Sequence, residues 1–217
     1  MSHTLSEAES KELLAGFGLP IAPEVIVGDP DAAVAAATDL GFPVVAKLCG
    51  DRIAHKSERG LVRLHLGDAD AVRSAATDLL AAATPDDGDV AVLVAPMIRG
   101  NRELIAGLSR DPQFGMTVMV GVGGVLTEAL ADVAIRLVPL TAQDAADMLD
   151  DLSAQALLGP VRGEPPLDRE AMTRALVALS RVAEARPDVV SVDLNPLVIA
   201  DGTPIAVDAL VELDGER

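Results

Sequence analysis

A chain of 217 residues with a formal charge of −17 is long enough to bury a sizeable core, in one domain or in two lobes sharing a cleft, and its charge repels nucleic acid and anionic membranes. Its single cysteine, Cys49, excludes an internal disulfide and agrees with a reducing compartment. The most apolar window, residues 116–126, is broken by glycine and shorter than the about 20 apolar residues that span a bilayer, and no basic segment followed by an apolar run opens the chain. The reading is a cytoplasmic protein. Of the 17 basic residues only Lys11, Lys47 and Lys56 are lysines, so the acidity reads as habitat, a GC-rich genome or high salt, rather than as mechanism. Two lysines nine residues apart stand out against that background.

Ser6 and Glu9 form a capping box ahead of Leu13, Leu14 and Phe17, and Gly16, Gly18 and Pro20 stop this first helix. Asp29 and Pro30 supply an N-cap and an N1 proline for an alanine-rich helix that ends at Gly41. A strand over 44–49 follows. Between it and a second strand over 61–66 lies a polar loop with His55, Lys56 and Ser57, closed by Gly60. A β-rich run carrying one lysine, a polar loop and a glycine is what a phosphate clamp needs: a fixed cation, and amides that can approach closely. Asp68 caps a helix over 69–83, residues 84–89 read as a surface loop, and a strand over 90–94 ends at Pro96, which reads as a hinge.

The second half begins with a strand over 103–108, turns at Asp111-Pro112, and enters a strand over 116–122 that runs into Gly123-Gly124. A strand over 133–138 precedes Thr141, the cap of a helix to about residue 152, and a second helix spans 168–185. Residues 189–199 and 204–210 read as a closing pair of strands around an Asp201-Gly202 turn. These elements predict an α+β chain of two lobes meeting near residue 95: a first helix over 1–20, a small lobe over 21–94 and a large lobe over 95–217.

Six motifs occur in order: Phe42-Pro43-Val44-Val45-Ala46-Lys47, His55-Lys56-Ser57, Arg110-Asp111-Pro112-Gln113-Phe114-Gly115, Val133-Ala134-Ile135-Arg136-Leu137, Val161-Arg162-Gly163-Glu164-Pro165-Pro166 and Asp193-Leu194-Asn195-Pro196-Leu197. Together they resemble the ATP-grasp subunit or domain of ADP-forming acetate-CoA ligases, relatives of succinyl-CoA synthetase. The resemblance covers residues 5 to about 212. It implies an ATP-grasp fold with ATP or ADP and Mg2+ between two lobes, and an acid-thiol ligase that passes the energy of a CoA thioester through an acyl phosphate and phosphohistidine to ADP. It also implies a partner, a CoA-binding alpha subunit in a hetero-oligomer, without which this chain is half of an enzyme.

Carried over residue by residue, the resemblance places Lys47 on the nucleotide phosphates, where a compact ammonium suits phosphate oxygens; its alternative is a strand-end lysine in solvent. His55 falls at the phosphohistidine position, and a neutral imidazole nitrogen is a competent phosphoryl carrier; the alternative is an exposed loop histidine. Gly60 fits the phosphate-loop glycine, with Leu61 where the family commonly has a second glycine. Ala95 and Met97 would present main chain to the adenine. Glu103 would hold ribose hydroxyls or serve structurally, and Arg136 would touch the γ-phosphate or phosphohistidine or pair with a strand-mate carboxylate. Asn195 and Asp208 are the magnesium candidates, with Asp193 in support, since the ion takes hard oxygen ligands; an ordinary turn is the alternative. Cys49 reads as a small buried hydrophobe, and His3 and His65 receive no role. Two other functions stay open: a non-catalytic ATP-sensing or scaffold subunit, suggested by Leu61, and a stand-alone ATP-grasp carboxylate-amine ligase.

Overall fold

The computed structural model describes residues 2–50, 53, 59–124 and 131–215. The chain divides into two units. The smaller comprises Thr4–Glu9 and Ala22–Met97; the larger comprises Met1–His3, Ser10–Ile21 and Ile98–Arg217. Helix α1 (Glu7–Gly16) therefore gives residues 7–9 to the smaller unit and the rest to the larger. Its start is set by the Ser6–Glu9 box: the Ser6 amide donates to Glu9 at 2.9 Å and the Glu9 amide to the Ser6 hydroxyl at 3.3 Å.

The smaller unit is a four-stranded antiparallel sheet in the order β2 (Val25–Val27), β5 (Val90–Pro96), β3 (Val44–Gly50), β4 (Val62–Leu66). Helices α2 (Pro30–Leu40) and α3 (Ala69–Ala81) cover one face. Their apolar stripes, Ala33, Ala36 and Ala37 on α2 and Val72, Ala76 and Leu79 on α3, follow the 3.6-residue period and bury against Val44, Ala46 and Leu48 of β3. Asp29 and Asp68 cap the two helices, each accepting a main-chain amide at 2.9 Å. The segment read as a plain loop before β5 contains a turn of 3-10 helix, Pro85–Asp87, capped by Thr84.

The larger unit is built on a sheet in the order β1 (Ser2–Thr4), β11 (Leu210–Asp214), β9 (Val189–Ala200), β6 (Glu103–Asp111), β7 (Gly115–Val122), β8 (Val133–Leu137), with β10 (Thr203–Ala206) also paired to β9. Helix α4 (Ala142–Asp151), the short α5 (Gln155–Leu158) and helix α6 (Arg169–Ala185) belong to this unit. Met148 and Leu149 of α4 and Met172, Leu176 and Leu179 of α6 are fully buried, and α6 lies against β6 and β7 while α4 lies against β8.

Register assigns the two faces of this sheet. Val118 sits between Leu108 and Arg136, and Leu108 opposite Val192; this is the buried, helix-covered face. Met119 sits between Gly107 and Ile135, and Gly107 opposite Asp193, so these residues look the other way. The predicted single strand over 204–210 is instead two, β10 and β11, separated at residues 207–209. There the Val207 amide donates to the Pro196 carbonyl at 3.2 Å.

Candidate active site

In the smaller unit, alternation along β3 puts Val45, Lys47 and Cys49 on the face away from α2 and α3, where Val45 and Cys49 pack with Leu93 and Ala95 and with Ala8 of α1. Lys47 does not reach solvent at a strand end. It is 7% exposed, and its Nζ donates to Glu7 Oε1 at 2.7 Å. A buried ammonium needs such a partner, because its desolvation is otherwise uncompensated. Sequence reading missed Glu7, which lies 40 residues away in the first turn of α1 and shares no local pattern with β3.

Gly60 turns the chain into β4 at φ +66, a conformation open to glycine. Leu61 is 2% exposed within the core formed by Leu48, Val72 and Leu79. The residue that stands in place of a second glycine thus points into the core. Beside it, Arg59 forks onto Asp87 at 2.6 and 2.9 Å. That guanidinium, together with the Thr84 amide, holds the Asp87 carboxyl well below the usual carboxylate range. His55 and Lys56 lie outside the described residues.

At the expected hinge, Ala95 is buried and paired with Val45, and the Met97 amide donates to the Pro43 carbonyl at 3.0 Å. The amide of Met97 is therefore engaged within the sheet.

In the larger unit, the break between β10 and β11 brings Asp208 alongside the Asn195-Pro196 segment: Val207 bonds to Pro196, and Leu210 lies opposite Asp193. Partial burial and the negative charge of Asp208 push the Asp193 carboxyl up. Two carboxylates close enough to repel, with Asn195 two residues along β9 from Asp193, are hard oxygen donors of the kind that a divalent cation takes. Glu103 opens β6 on the same sheet face as Asp193, and its carboxylate lies beside Gly124. Gly123 is required there: its amide donates to the Glu103 carbonyl at 2.8 Å, and a Cβ would stand 3.0 Å from main-chain atoms of Glu103 and Leu104. Glu103, Gly123, Gly124, Asn101 and Arg102 line a cavity of about 290 Å3.

Arg136 is not brought to this group. It belongs to the helix-covered face, one residue along from Ile135, and pairs with Asp151 of α4. The Val161–Glu164 motif also acquires a place, because Glu164 is the anchor of the buried Arg102.

A family profile described as an ATP-grasp domain matches residues 1–213. The chain is 35% identical to the acetate–CoA ligase [ADP-forming] I subunit beta of Pyrococcus furiosus over 208 residues, covering 94% of this chain and 90% of that protein. It is 35% identical to the acetate–CoA ligase [ADP-forming] I of Archaeoglobus fulgidus, covering 96% of this chain and 31% of that longer protein. Among solved structures, the acetyl-coenzyme A synthetase 1 of Ca. Korarchaeum cryptofilum in complex with coenzyme A and Ca-AMPCP superposes with a TM-score of 0.91 at 34% identity, over 97% of this chain and 93% of that one. The same enzyme with Mg-AMPPCP, its phosphohistidine segment pointing towards the nucleotide binding site, superposes at 0.82 and 35% identity, over 95% and 91%. The fold is thus that of an ATP-grasp protein. The chain belongs to the ATP-grasp family that contains the beta subunits of ADP-forming acetate–CoA ligases.

Proposed function

We propose that this chain is the nucleotide-binding subunit of an ADP-forming acyl-CoA ligase, interconverting acyl-CoA, ADP and phosphate with carboxylic acid, CoA and ATP. The observation that carries the reading is the bond of Val207 to Pro196, which sets the segment of Asp208 against that of Asn195 at a sheet whose open face bears Glu103 and Asp193. Each unit contributes its own residues. The smaller offers Lys47 to the nucleotide phosphates, the turn at Gly60 to bring main-chain amides near them, and Ala95 with its neighbours to the adenine. The larger offers Glu103 to the ribose, and Asn195 and Asp208 to magnesium with Asp193 in support. When bound, the ion would neutralise phosphate charge and help align the transferred group.

His55 accepts a phosphoryl group on a neutral ring nitrogen. The group originates in the acyl phosphate and is delivered by a phosphohistidine of the CoA-binding partner, whose N–P bond breaks as the His55 N–P bond forms. His55 then passes it to the terminal phosphate oxygen of ADP. The N–P bond breaks as the new P–O bond forms, and the imidazole returns to its neutral state. Arg136 braces α4 in this scheme. The CoA-binding partner is a separate subunit, in keeping with a chain that covers 31% of the longer Archaeoglobus relative, and the pair works in the cytoplasm. Among the described residues no helix is long and apolar enough to cross a membrane. Leu61, the one sequence hint for an ATP-sensing reading, packs into the core of the smaller unit.

The test is transfer of labelled phosphate from Mg-ATP to the purified chain, alone and with a CoA-binding subunit, comparing wild type with His55→Ala. An acid-labile, base-stable label absent from the variant is the expected result. No label in either condition, with nucleotide bound, would remove His55 from the mechanism.

A further inference from the structure

Arg102 is a buried charge that the scheme above does not use. Its side chain is 2% exposed, and taking a guanidinium out of water is costly unless its donors are matched. They are matched on all three nitrogens. Nε donates to Glu164 Oε2 at 3.3 Å, Nη1 to the carbonyls of Gly159 at 2.7 Å and Leu157 at 3.2 Å, and Nη2 to the Pro165 carbonyl at 2.6 Å. Glu164 in turn takes the Asn101 amide at 3.0 Å and its Nδ2 at 2.7 Å. One planar fork thus ties the start of β6 to the segments around Gly159 and Pro165, in a way that a flexible ammonium could not.

The main chain of the same residue is fixed from the other side. The Ile199 amide of β9 donates to the Arg102 carbonyl at 3.0 Å. Gly100 has no room for a side chain, because a Cβ there would stand 2.3 Å from the Ile199 carbonyl oxygen. The next residue is Glu103, and four residues before Ile199 on β9 is Asn195. The clamp therefore sits where the strand of the ribose candidate meets the strand of the metal candidate, in the wall of the cavity. Well-packed apolar residues in place of a buried ion pair are often neutral or stabilising, so stability alone is a poor account of this arrangement. Geometry is a better one.

We propose that Arg102, anchored by Glu164, is a positioning residue that sets the relative placement of Glu103 and Asn195 for a magnesium-bound nucleoside diphosphate. The inference rests on the nucleotide reading given above. Binding of Mg-ADP to the full chain, followed by calorimetry for both affinity and the fraction of competent sites, tests it in wild type, Arg102→Met and Glu164→Gln. A structural role lowers the competent fraction and the unfolding midpoint but leaves the affinity of the folded protein alone. A positioning role weakens affinity at least tenfold at an unchanged competent fraction, in both variants. Should Arg102→Met fail to fold, Glu164→Gln, which keeps the shape of the side chain, decides alone. Folded variants that bind Mg-ADP as tightly as wild type overturn this inference and leave the nucleotide reading standing. A wild-type chain that does not bind Mg-ADP overturns both.

Discussion

The ammonium of Lys47 and the carboxylate of Glu7 lie 2.7 Å apart, with the two side chains 8% and 1% exposed. Removing one partner of a pair so deeply buried takes from the other the contact that offsets its desolvation. Glu7→Ala and Lys47→Met are each expected to cost about 3–5 kcal/mol, and the double variant Glu7→Met/Lys47→Met much less than the sum. Urea unfolding of the four proteins gives the coupling directly. Additive costs would show the pair to be energetically idle. Lys47→Met and the double variant should both lose affinity for ADP, since the phosphate contact goes with the lysine.

Asp87 and Arg59 give the fold an acid-sensitive joint. Because the folded Asp87 carboxyl titrates below its unfolded value, its stabilisation is complete above the ordinary carboxylate range, about 3.9, and drains away as the pH falls through the lower folded value. Asp87→Asn should therefore be less stable than wild type at pH 6, and the gap should narrow on acidification below pH 4. Unfolding midpoints across that range check it, and a gap independent of pH would contradict the assignment.

The turn at Gly60 separates backbone strain from crowding, since among the described residues no atom beyond its two chain neighbours lies within 4 Å of where a Cβ would stand. Gly60→Ala should cost about 1–2 kcal/mol from the positive φ alone. Gly60→Asn should cost less, because asparagine tolerates that region. Equal losses would point to a contact instead.

Arg136 and Asp151 are both partly exposed. Arg136→Met is expected to cost no more than about 1 kcal/mol and to leave the KM for ADP unchanged. A rise in that KM would return Arg136 to the nucleotide.

At the metal candidate, Asp193→Asn should raise the magnesium concentration for half-maximal nucleotide binding by about 10–100-fold, as loss of an outer partner does. Removing the charge repelled by Asp208 should at the same time leave the unfolding midpoint unchanged or higher. Titration of magnesium at fixed ADP, beside a thermal melt, reads both.

Helix starts were the most legible part of the fold, because caps are local: Ser6, Asp29, Asp68, Thr141 and Asp168 all accept amides within three residues. Strands β1 and β2, three residues each, were not legible, since such short runs exist only by pairing with β11 and β5. The break at residues 207–209 was hidden for a related reason. An apolar, alternating run gives no sign that its pairing with β9 lapses where Asp208 stands. For the candidate site, the family resemblance pointed to Lys47, Glu103, Asn195 and Asp208, beside His55, Gly60, Ala95, Met97 and Arg136. The face occupied by Arg136 emerged only from the register of β7 and β8. Glu7, and the joining of Arg102 to Glu164 across 62 residues, are long-range pairings that no short motif encodes.

The smaller unit is discontinuous along the chain, with Thr4–Glu9 separated from Ala22–Met97. A domain cut placed at the apparent boundary near residue 22 would therefore yield a sheet whose single lysine has lost its counter-ion. The same discontinuity bears on the order of assembly. The unit is held by long-range closures throughout: Val45 pairs with Ala95 and Val25 with Val94, and the partner of Lys47 must likewise be recruited by closing a loop of some forty residues. A nascent form in which residues 4–9 have not yet docked would carry the Lys47 ammonium without Glu7, where the finished protein has a matched pair.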